Sequence, residues 1–241
     1  MITIPRNCLP EHLLPYFEHA ELGQEAGPAE YLVRLRRIIA ELGRVLAPTG
    51  WLFLNLGDTF ASQPGQYRGA PERARGISNK AAQAAMSAPK RLWDVPDKSV
   101  CLIPWRLLTD LVLTDGWICR NVIAWYKLGH QPENVGDRLT QAWEPIFALT
   151  RGTYPYYNRQ AIEARPVDVW SIPVGRQGDG GEHPAVFPSK LVERAIHLAC
   201  PPDGVVLDPF AGSGTVRDVA RRMGRQFLGC DLIRWQREEE A

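Results

Sequence analysis

Residues 205–215 read Val-Val-Leu-Asp-Pro-Phe-Ala-Gly-Ser-Gly-Thr, and this stretch decides the fold. It begins with a short apolar run, typical of a buried strand, which leads into a turn containing two glycines. Glycine lets the backbone turn sharply and approach a ligand closely, and the helix that follows begins with N–H groups that lack intrahelical partners. The stretch therefore predicts a strand, a glycine loop and a helix whose start can bind a ligand.

The residues after the loop complete a strand–helix–strand unit. Apolar residues recur at helical spacing at Val216, Val219, Ala220 and Met223. Gly224 ends this helix, and the next strand, Gln226 to Asp231, ends in an acid 17 residues after Gly214. Rossmann-like sheets place a carboxylate there to bind a ribose. A plain strand–turn–helix connection without a ligand stays open as the alternative.

Two familiar nucleotide-binding motifs are excluded for this loop. The third glycine of the dinucleotide fingerprint would fall at Arg217, whose side chain is too bulky for close helix–strand packing. The Gly-Lys-[Ser/Thr] sequence of a phosphate-binding P-loop is also missing.

Helices and strands alternate upstream of the loop. Apolar periodicity predicts helices at 31–46, at 104–114 and after an N-cap at Ser189, and strands at 51–56, 117–126 and 143–150. Gly27-Pro28 opens the first helix. The strand at 51–56 is almost wholly apolar, so we expect burial on both faces. Residues 1–28 and 151–182 read as irregular, and the whole pattern predicts an α/β fold with a parallel sheet.

Composition limits the class of protein. The 241 residues hold 28 Lys and Arg against 27 Asp and Glu, and 45% are hydrophobic, as in an ordinary globular domain. The five cysteines are scattered and never form a Cys-x-x-Cys pair, which excludes a disulfide framework and a zinc knuckle. The chain has no apolar run of membrane-spanning length and no secretory signal, so we expect a reduced, cytoplasmic protein without a membrane partner.

Residues 62–98 differ from the rest of the chain. They are rich in Gln, Gly, Ala, Pro and Ser, and they carry seven Lys and Arg against three acids, a local charge of 7 − 3 = +4. A stretch of this length without apolar periodicity is typical of a functional or a disordered loop.

Asp208–Thr215 resembles the S-adenosylmethionine-binding motif of DNA amino-methyltransferases, which methylate N4 of cytosine or N6 of adenine. Three further segments resemble the β-class of this family in its permuted order: 30–59, 125–147 and 183–188. The resemblance covers about residues 21 to 232. It implies a Rossmann-like methyltransferase sheet in circularly permuted order, with a basic loop insertion.

The resemblance also implies a division of the chain. Residues 1–241 would form a single methyltransferase domain, with 28–61 and 99–150 as its catalytic-side half and 183–235 as its cofactor-binding half. Residues 62–98 would be the basic loop and a candidate DNA contact, through Arg68, Arg73, Arg75, Lys80, Lys90 and Arg91. A solvated loop without DNA contact is the alternative.

The resemblance assigns S-adenosylmethionine as cofactor and gives its binding residues. The methionine portion would be wrapped by Asp208, Pro209, Phe210, Ala211, Gly212, Ser213, Gly214 and Thr215. Asp231 would bind the ribose, while His183, Phe187 and Pro188 would close the pocket. His183 is otherwise a loop histidine before a helix. Asp58 is either a polar pocket residue or part of the turn that ends its strand.

The catalytic motif of the family is the main departure. The tetrapeptide [Asp/Asn/Ser]-Pro-Pro-[Tyr/Phe/Trp] has no match here; the best placement, Ile2 to Asn7, gives Pro5 and Asn7 as catalytic candidates, and Leu13-Leu-Pro15-Tyr16 is a second placement. In the family, the polar first residue accepts hydrogens of the exocyclic amine, and the aromatic residue stacks on the flipped base. In this placement, Ile4 cannot accept a hydrogen bond from the amine, and Asn7 has no aromatic ring to stack on the base. We expect the family's preceding strand and acidic cofactor residue upstream of Met1.

The sequence therefore leaves more than one function open. We expect methyl transfer from S-adenosylmethionine to the exocyclic amine of a DNA base. Cytosine N4 is favoured because residues 55–59 resemble family members that carry Ser-Pro-Pro-Tyr, a variant of the tetrapeptide linked mostly to cytosine N4. The alternative is an impaired or truncated remnant that binds cofactor or DNA without methyl transfer. A methyltransferase of RNA or of small molecules is a third hypothesis. The expected partner is double-stranded DNA, with a cognate restriction endonuclease as a second candidate and no metal.

Overall fold

The computed structural model describes residues 2–4, 22, 25–61, 93–130, 136–158, 160, 167–174 and 188–230. Its helices are α1 (Pro28–Val45), α2 (Ile103–Leu113), α3 (Ser189–Ala199) and α4 (Thr215–Arg222). Its strands are β1 (Ile2–Ile4), β2 (Leu52–Asn55), β3 (Ile118–Leu128), β4 (Trp143–Thr150), β5 (Val169–Pro173), β6 (Val205–Asp208) and β7 (Gln226–Gly229).

The strands form one mixed sheet in the order β5-β3-β4-β2-β1-β6-β7. β5 runs parallel to β3, and β7 runs parallel to β6. β4 is antiparallel to β2 and β3, and β1 is antiparallel to β2 and β6. β2, β3, β5, β6 and β7 therefore point the same way, and their carboxyl ends lie along one edge of the sheet, here called the carboxyl edge. Ligands of open α/β sheets bind at such an edge.

Two layers of helices cover the sheet. On one face, α1 and α2 pack on Leu52, Phe147, Val205 and Leu207. On the other face, α3 and α4 cover an aromatic and aliphatic group that includes Trp125, Trp170, Val206 and Ile146. The predicted α/β fold is confirmed, although the sheet is mixed and not parallel throughout. None of the described helices is long and apolar enough to cross a membrane.

Helix α1 could be predicted from the sequence because both its start and its buried face carry clear signals. Its N-cap is Gly27, and Pro28 occupies the first turn, where a missing N–H costs nothing. The buried residues recur every three or four positions: Leu32, Leu35, Ile38, Ile39, Leu42 and Val45. The helix therefore presents one apolar face to the sheet and a charged face to solvent.

Four details differ from the sequence prediction. β5 lies within the stretch read as a loop, and its five residues alternate exposed and buried. β1 lies within the stretch read as irregular. The N-cap of α3 is Pro188 and not Ser189, and no side chain caps this helix. In β2 only Leu52 is fully buried, because β1 pairs with β2 at a single position, Ile2 with Leu52.

Replacing Gly152 by alanine should destabilise the fold. A Cβ at this position, just after β4, would lie 2.4 Å from the carbonyl oxygen of Pro48, so backbone must shift. We expect Gly152→Ala to lower the free energy of unfolding by about 1–3 kcal/mol, measured by urea denaturation. Gly136→Ala is the control, because no atom of the described residues lies within 4 Å of a Cβ at this position, and it should change stability by less than about 0.5 kcal/mol. Equal stability of the two variants would contradict this packing.

Candidate functional site

The loop between β6 and α4 is fixed by its own hydrogen bonds. The Asp208 carboxylate oxygen Oδ1 accepts a hydrogen bond from the backbone N–H of Phe210 at 3.1 Å. Cys230 donates to the Asp208 carbonyl at 3.0 Å and accepts from Ala211 at 2.9 Å. The loop is therefore tied to the end of β7, and its conformation is set before any ligand binds.

Both glycines of the loop have conformations that favour glycine. Gly212 has φ +46° and Gly214 has φ +87°, in the left-handed region that side chains with a Cβ rarely adopt. Gly214 is the N-cap of α4; it donates to the Ala211 carbonyl at 2.8 Å and accepts from Asp218 at 3.0 Å. The predicted strand, glycine loop and helix are confirmed.

A cleft of about 330 Å³ opens beside this loop, here called the loop cleft. The predicted cofactor residues Asp208, Pro209, Phe210, Ala211, Gly212, Ser213 and Thr215 line it. β2 forms another wall, with Phe53, Leu54 and Asn55. Phe210 is 47% exposed although its neighbours are apolar, so an aromatic ring stands at the loop's surface.

The loop cleft is lined from both helix layers. Leu35, Ile39 and Leu42 of α1 line it from one face, and Leu191, Val192 and Ala195 of α3 line it from the other. Side chains from opposite layers meet in a cavity at the edge of a sheet, where the strands end. In the described part of the chain, Phe53 to Asn55 have no strand partner on the side of β6, since β1 pairs with β2 only at Leu52.

Asn55 at the end of β2 is a polar wall residue that the sequence analysis did not single out. Its amide nitrogen Nδ2 donates to the Glu144 oxygen Oε2 at 3.2 Å and to the Pro145 carbonyl at 3.1 Å. Glu144 is paired with Lys127, which also lies over the ring of Trp125. These two acceptors fix the orientation of the amide and leave its carbonyl oxygen as a hydrogen-bond acceptor. In the sequence, Asn55 could have been found as the polar residue that ends an apolar strand.

A second cavity of about 250 Å³ lies at the same edge, between the starts of α1 and α2, and is here called the α1 cavity. Glu25, Tyr31, Asp58 and Trp93 are among its lining residues. The Glu25 side chain is 2% exposed and pairs with Arg34 at 2.6 Å. Burial, and then the charge of Glu25, raise the pKa of the Tyr31 hydroxyl, so this phenol stays protonated at neutral pH.

Two cysteine thiols lie near the acids of these cavities, Cys101 near Asp58 and Cys230 near Asp208. Burial, and then the charge of Asp58, raise the pKa of the Cys101 thiol. Burial, and then the charge of Asp208, raise the pKa of the Cys230 thiol. Both thiols are therefore neutral and weakly reactive near pH 7. Among the described residues no group of three or more His, Cys, Asp or Glu could hold a metal ion.

The other predicted site residues are placed as follows. Pro188 is buried at the N-cap of α3. The cofactor candidates Asp231, His183 and Phe187, the catalytic candidates Pro5 and Asn7, and the six basic residues (Arg68, Arg73, Arg75, Lys80, Lys90 and Arg91) lie outside the described residues. β1 itself runs opposite to β6, with Ile4 beside Val205 and Ile2 beside Leu207, so its carboxyl end is at the edge away from Asp208.

The chain is similar to known DNA-modifying proteins. The model of the N6_N4_Mtase family, described as DNA methylase, matches residues 14–239. The Type II methyltransferase M.Cfr9I of Citrobacter freundii is 35% identical over 159 residues, which cover 63% of this chain and 52% of that protein. The chain spans about half the length of the curated relatives it matches. Pro5 and Asn7 lie outside the family match, whereas Pro15 and Tyr16 lie inside it.

Solved structures show the same fold. The PvuII DNA methyltransferase (cytosine-N4-specific) has a TM-score of 0.62 and 19% identity, over 85% of this chain and 67% of that chain. The complex of M1.HpyAVI with S-adenosylmethionine has a TM-score of 0.56 and 19% identity, over 85% of this chain and 79% of that chain. At these identities the similarity concerns the fold.

Removing Glu144 should weaken the wall of the loop cleft. Glu144→Ala leaves the half-buried Lys127 without its carboxylate partner and takes one acceptor from Asn55. We expect a loss of about 1–3 kcal/mol in the free energy of unfolding, measured by urea denaturation. Glu41→Ala is the control, because its pair with Arg44 is exposed and should be worth less than about 0.5 kcal/mol. A Glu144 variant as stable as the control would show that the pair does not hold Asn55.

Proposed function

Because the chain belongs to the DNA methylase family of N6-adenine and N4-cytosine enzymes, we propose that it transfers a methyl group from S-adenosylmethionine to an exocyclic amine in double-stranded DNA, at cytosine N4. S-adenosylmethionine is the cofactor of this family. The observation that carries the proposal is the glycine loop at the carboxyl end of β6, which lines the loop cleft with seven of the eight loop residues assigned to the cofactor.

The residues of the loop cleft fit the cofactor. The left-handed Gly212 and Gly214 remove side chains from the loop surface, and the open space beside them admits an elongated ligand. The negative charge of Asp208 suits a ligand that carries an ammonium and a sulfonium group. When bound, the cofactor supplies an electrophilic methyl group. Asp231, His183, Phe187 and Pro188 stay assigned to it by resemblance.

The acceptor amine needs help from the protein. Its lone pair is conjugated with the base, so it becomes nucleophilic only when its hydrogens are held by acceptors and its nitrogen is positioned in line with the methyl group. Asn55 offers a carbonyl oxygen at the wall of the loop cleft, and the carboxyl edge places it beside Asp208 and Phe210. The chain therefore has acceptor groups near the cofactor loop other than those of a Pro-Pro tetrapeptide.

The proposal also names a target base, cytosine N4, and the partners of the chain. The run Asn55-Leu-Gly-Asp-Thr59 supports cytosine, because it resembles family members that methylate cytosine N4. The relatives are named Type II methyltransferases, which supports a cognate restriction endonuclease as a second partner beside DNA. The basic residues of 62–98 are proposed to contact the phosphates.

A second candidate function is cofactor binding without methyl transfer. The direction of β1 favours it: the strand beside β6 brings Ile2, not a polar residue, towards the carboxyl edge. On this hypothesis the loop cleft retains its ligand, and the amine of a base is never placed against it.

Cofactor binding is tested first by calorimetric titration of the full chain with S-adenosylmethionine. Asp208→Asn keeps the acceptor for the Phe210 N–H but removes the charge, so we expect the dissociation constant to rise about tenfold or more. Asp218→Asn is the control, because this acid is exposed on α4 and pairs with the neighbouring Arg217. Equal affinities of the two variants would place the cofactor elsewhere.

Methyl transfer is tested with methyl-labelled S-adenosylmethionine and unmethylated duplex DNA, followed by digestion to nucleosides. Label in N4-methylcytosine is the expected result. Label in N6-methyladenine would support methyl transfer to DNA but reject cytosine N4 as the target. Cofactor binding without any label would reject the first function and favour the second.

A further inference from the structure

We propose that Leu102 is an apolar wedge that enters the base stack of bound duplex DNA and fills the gap that a displaced base leaves. This inference rests on the proposed function and deepens it, because it names a residue that holds the duplex open. It starts from a leucine at the start of α2 that is both strained and exposed.

The backbone of Leu102 has a conformation that does not suit leucine. Its φ of 57° and ψ of 27° lie in the left-handed region, which residues with a Cβ rarely adopt. Leu102 is the N-cap of α2, and no side chain of its own caps the helix. Asparagine would adopt this conformation with less strain and could cap the helix as well. The leucine therefore serves neither the backbone nor the helix start.

The neighbours of Leu102 on both sides are anchored. Cys101 is fully buried, and its N–H donates to the Thr59 carbonyl at 2.9 Å. The N–H of Ile103 donates to the Asp58 oxygen Oδ1 at 3.2 Å, which supplies the missing cap. These bonds set the conformation of Leu102 between them, and its side chain is 49% exposed. Strain that the surrounding structure imposes in this way is typical of functional positions.

Leu102 lies at the carboxyl edge, next to the basic stretch of the chain. Asp58, three residues beyond β2, holds the helix start that Leu102 precedes. The stretch 62–98, with its local charge of 7 − 3 = +4, ends four residues before Leu102. Lys98 is 71% exposed, and its pair with Asp137 is exposed and therefore weak. The charge beside the leucine thus suits a phosphate backbone, at the same edge as the cofactor loop.

The chemistry of leucine suits a gap in stacked bases. A base that leaves the duplex opens an apolar space between its two neighbours, and leucine is among the side chains that proteins insert between base steps. Insertion would bury the exposed half of the side chain, which corresponds to about tenfold in affinity. Because the backbone on either side is already fixed, little conformational entropy is lost on insertion.

DNA that already contains a gap tests this inference. The full chain is titrated, by fluorescence anisotropy, with a labelled duplex that has one abasic position and with the same duplex fully paired. We expect the unmodified chain to bind the abasic duplex about tenfold or more tightly. Since the gap is built into the DNA, this measurement requires neither the recognition sequence nor methyl transfer.

Leu102→Gly and Leu102→Asn remove the wedge and relieve the strained backbone. We expect both variants to bind the two duplexes with affinities within about threefold of each other. Their thermal midpoints should equal that of the unmodified chain or exceed it by up to about 4 °C. Leu113→Asn is the control, because this leucine is 79% exposed at the other end of α2 and should leave the preference unchanged.

The outcomes also separate the wedge from the proposed function. Equal affinity of the unmodified chain for the two duplexes, or no binding, overturns the inference, and so does a Leu102 variant that keeps the preference. Thermal midpoints lower by more than about 5 °C in both Leu102 variants would assign the leucine to the core and overturn it too. Label transferred to DNA without an abasic preference keeps methyl transfer and rejects the wedge. An abasic preference without label rejects methyl transfer and keeps the wedge.

Discussion

Burial of β6 on both faces is the constraint on which the rest of the structure depends. Val205 and Leu207 pack under α1, and Val206 packs under α3 and α4. A strand enclosed by two helix layers must leave the core at the edge of the sheet, so Asp208 emerges at the carboxyl edge and the chain must turn back at once into α4. That turn needs two left-handed residues, which is why glycines stand at 212 and 214. The cofactor loop is thus a consequence of how the strand is packed.

The end of β2 gives this edge a second wall beside the cofactor loop. Among the described residues β1 pairs with β2 only at Leu52, and Phe53 to Asn55 line the loop cleft. The loop cleft reaches both helix layers, and the end of β2 separates it from the α1 cavity.

Much of this arrangement could be predicted from the sequence, and the failures have physical causes. The glycine loop, α1 and β4 carry strong local signals: turn residues, a Gly-Pro helix start and an apolar run. β5 was missed because five residues of alternating burial, Val169 to Pro173, between polar stretches give too little periodicity. The full burial of β2 was wrong because burial depends on the strand beside it, which is distant in the sequence. Asn55 had one sequence signal, a polar residue at the end of an apolar strand, and its contacts to Glu144 and Pro145 show how its amide is held. The roles of the candidate catalytic and basic residues stay predictions.

Hydrogen exchange measured by mass spectrometry, with and without S-adenosylmethionine, tests most directly whether the carboxyl edge of β6 and β2 is the ligand site. The account predicts that bound cofactor slows amide exchange in residues 208–216 and at the end of β2, residues 53–58. Residues 108–113 of α2, which do not line the loop cleft, should exchange at the same rate in both states. Slowed exchange confined to β3 and β5, with residues 208–216 unchanged, would contradict it.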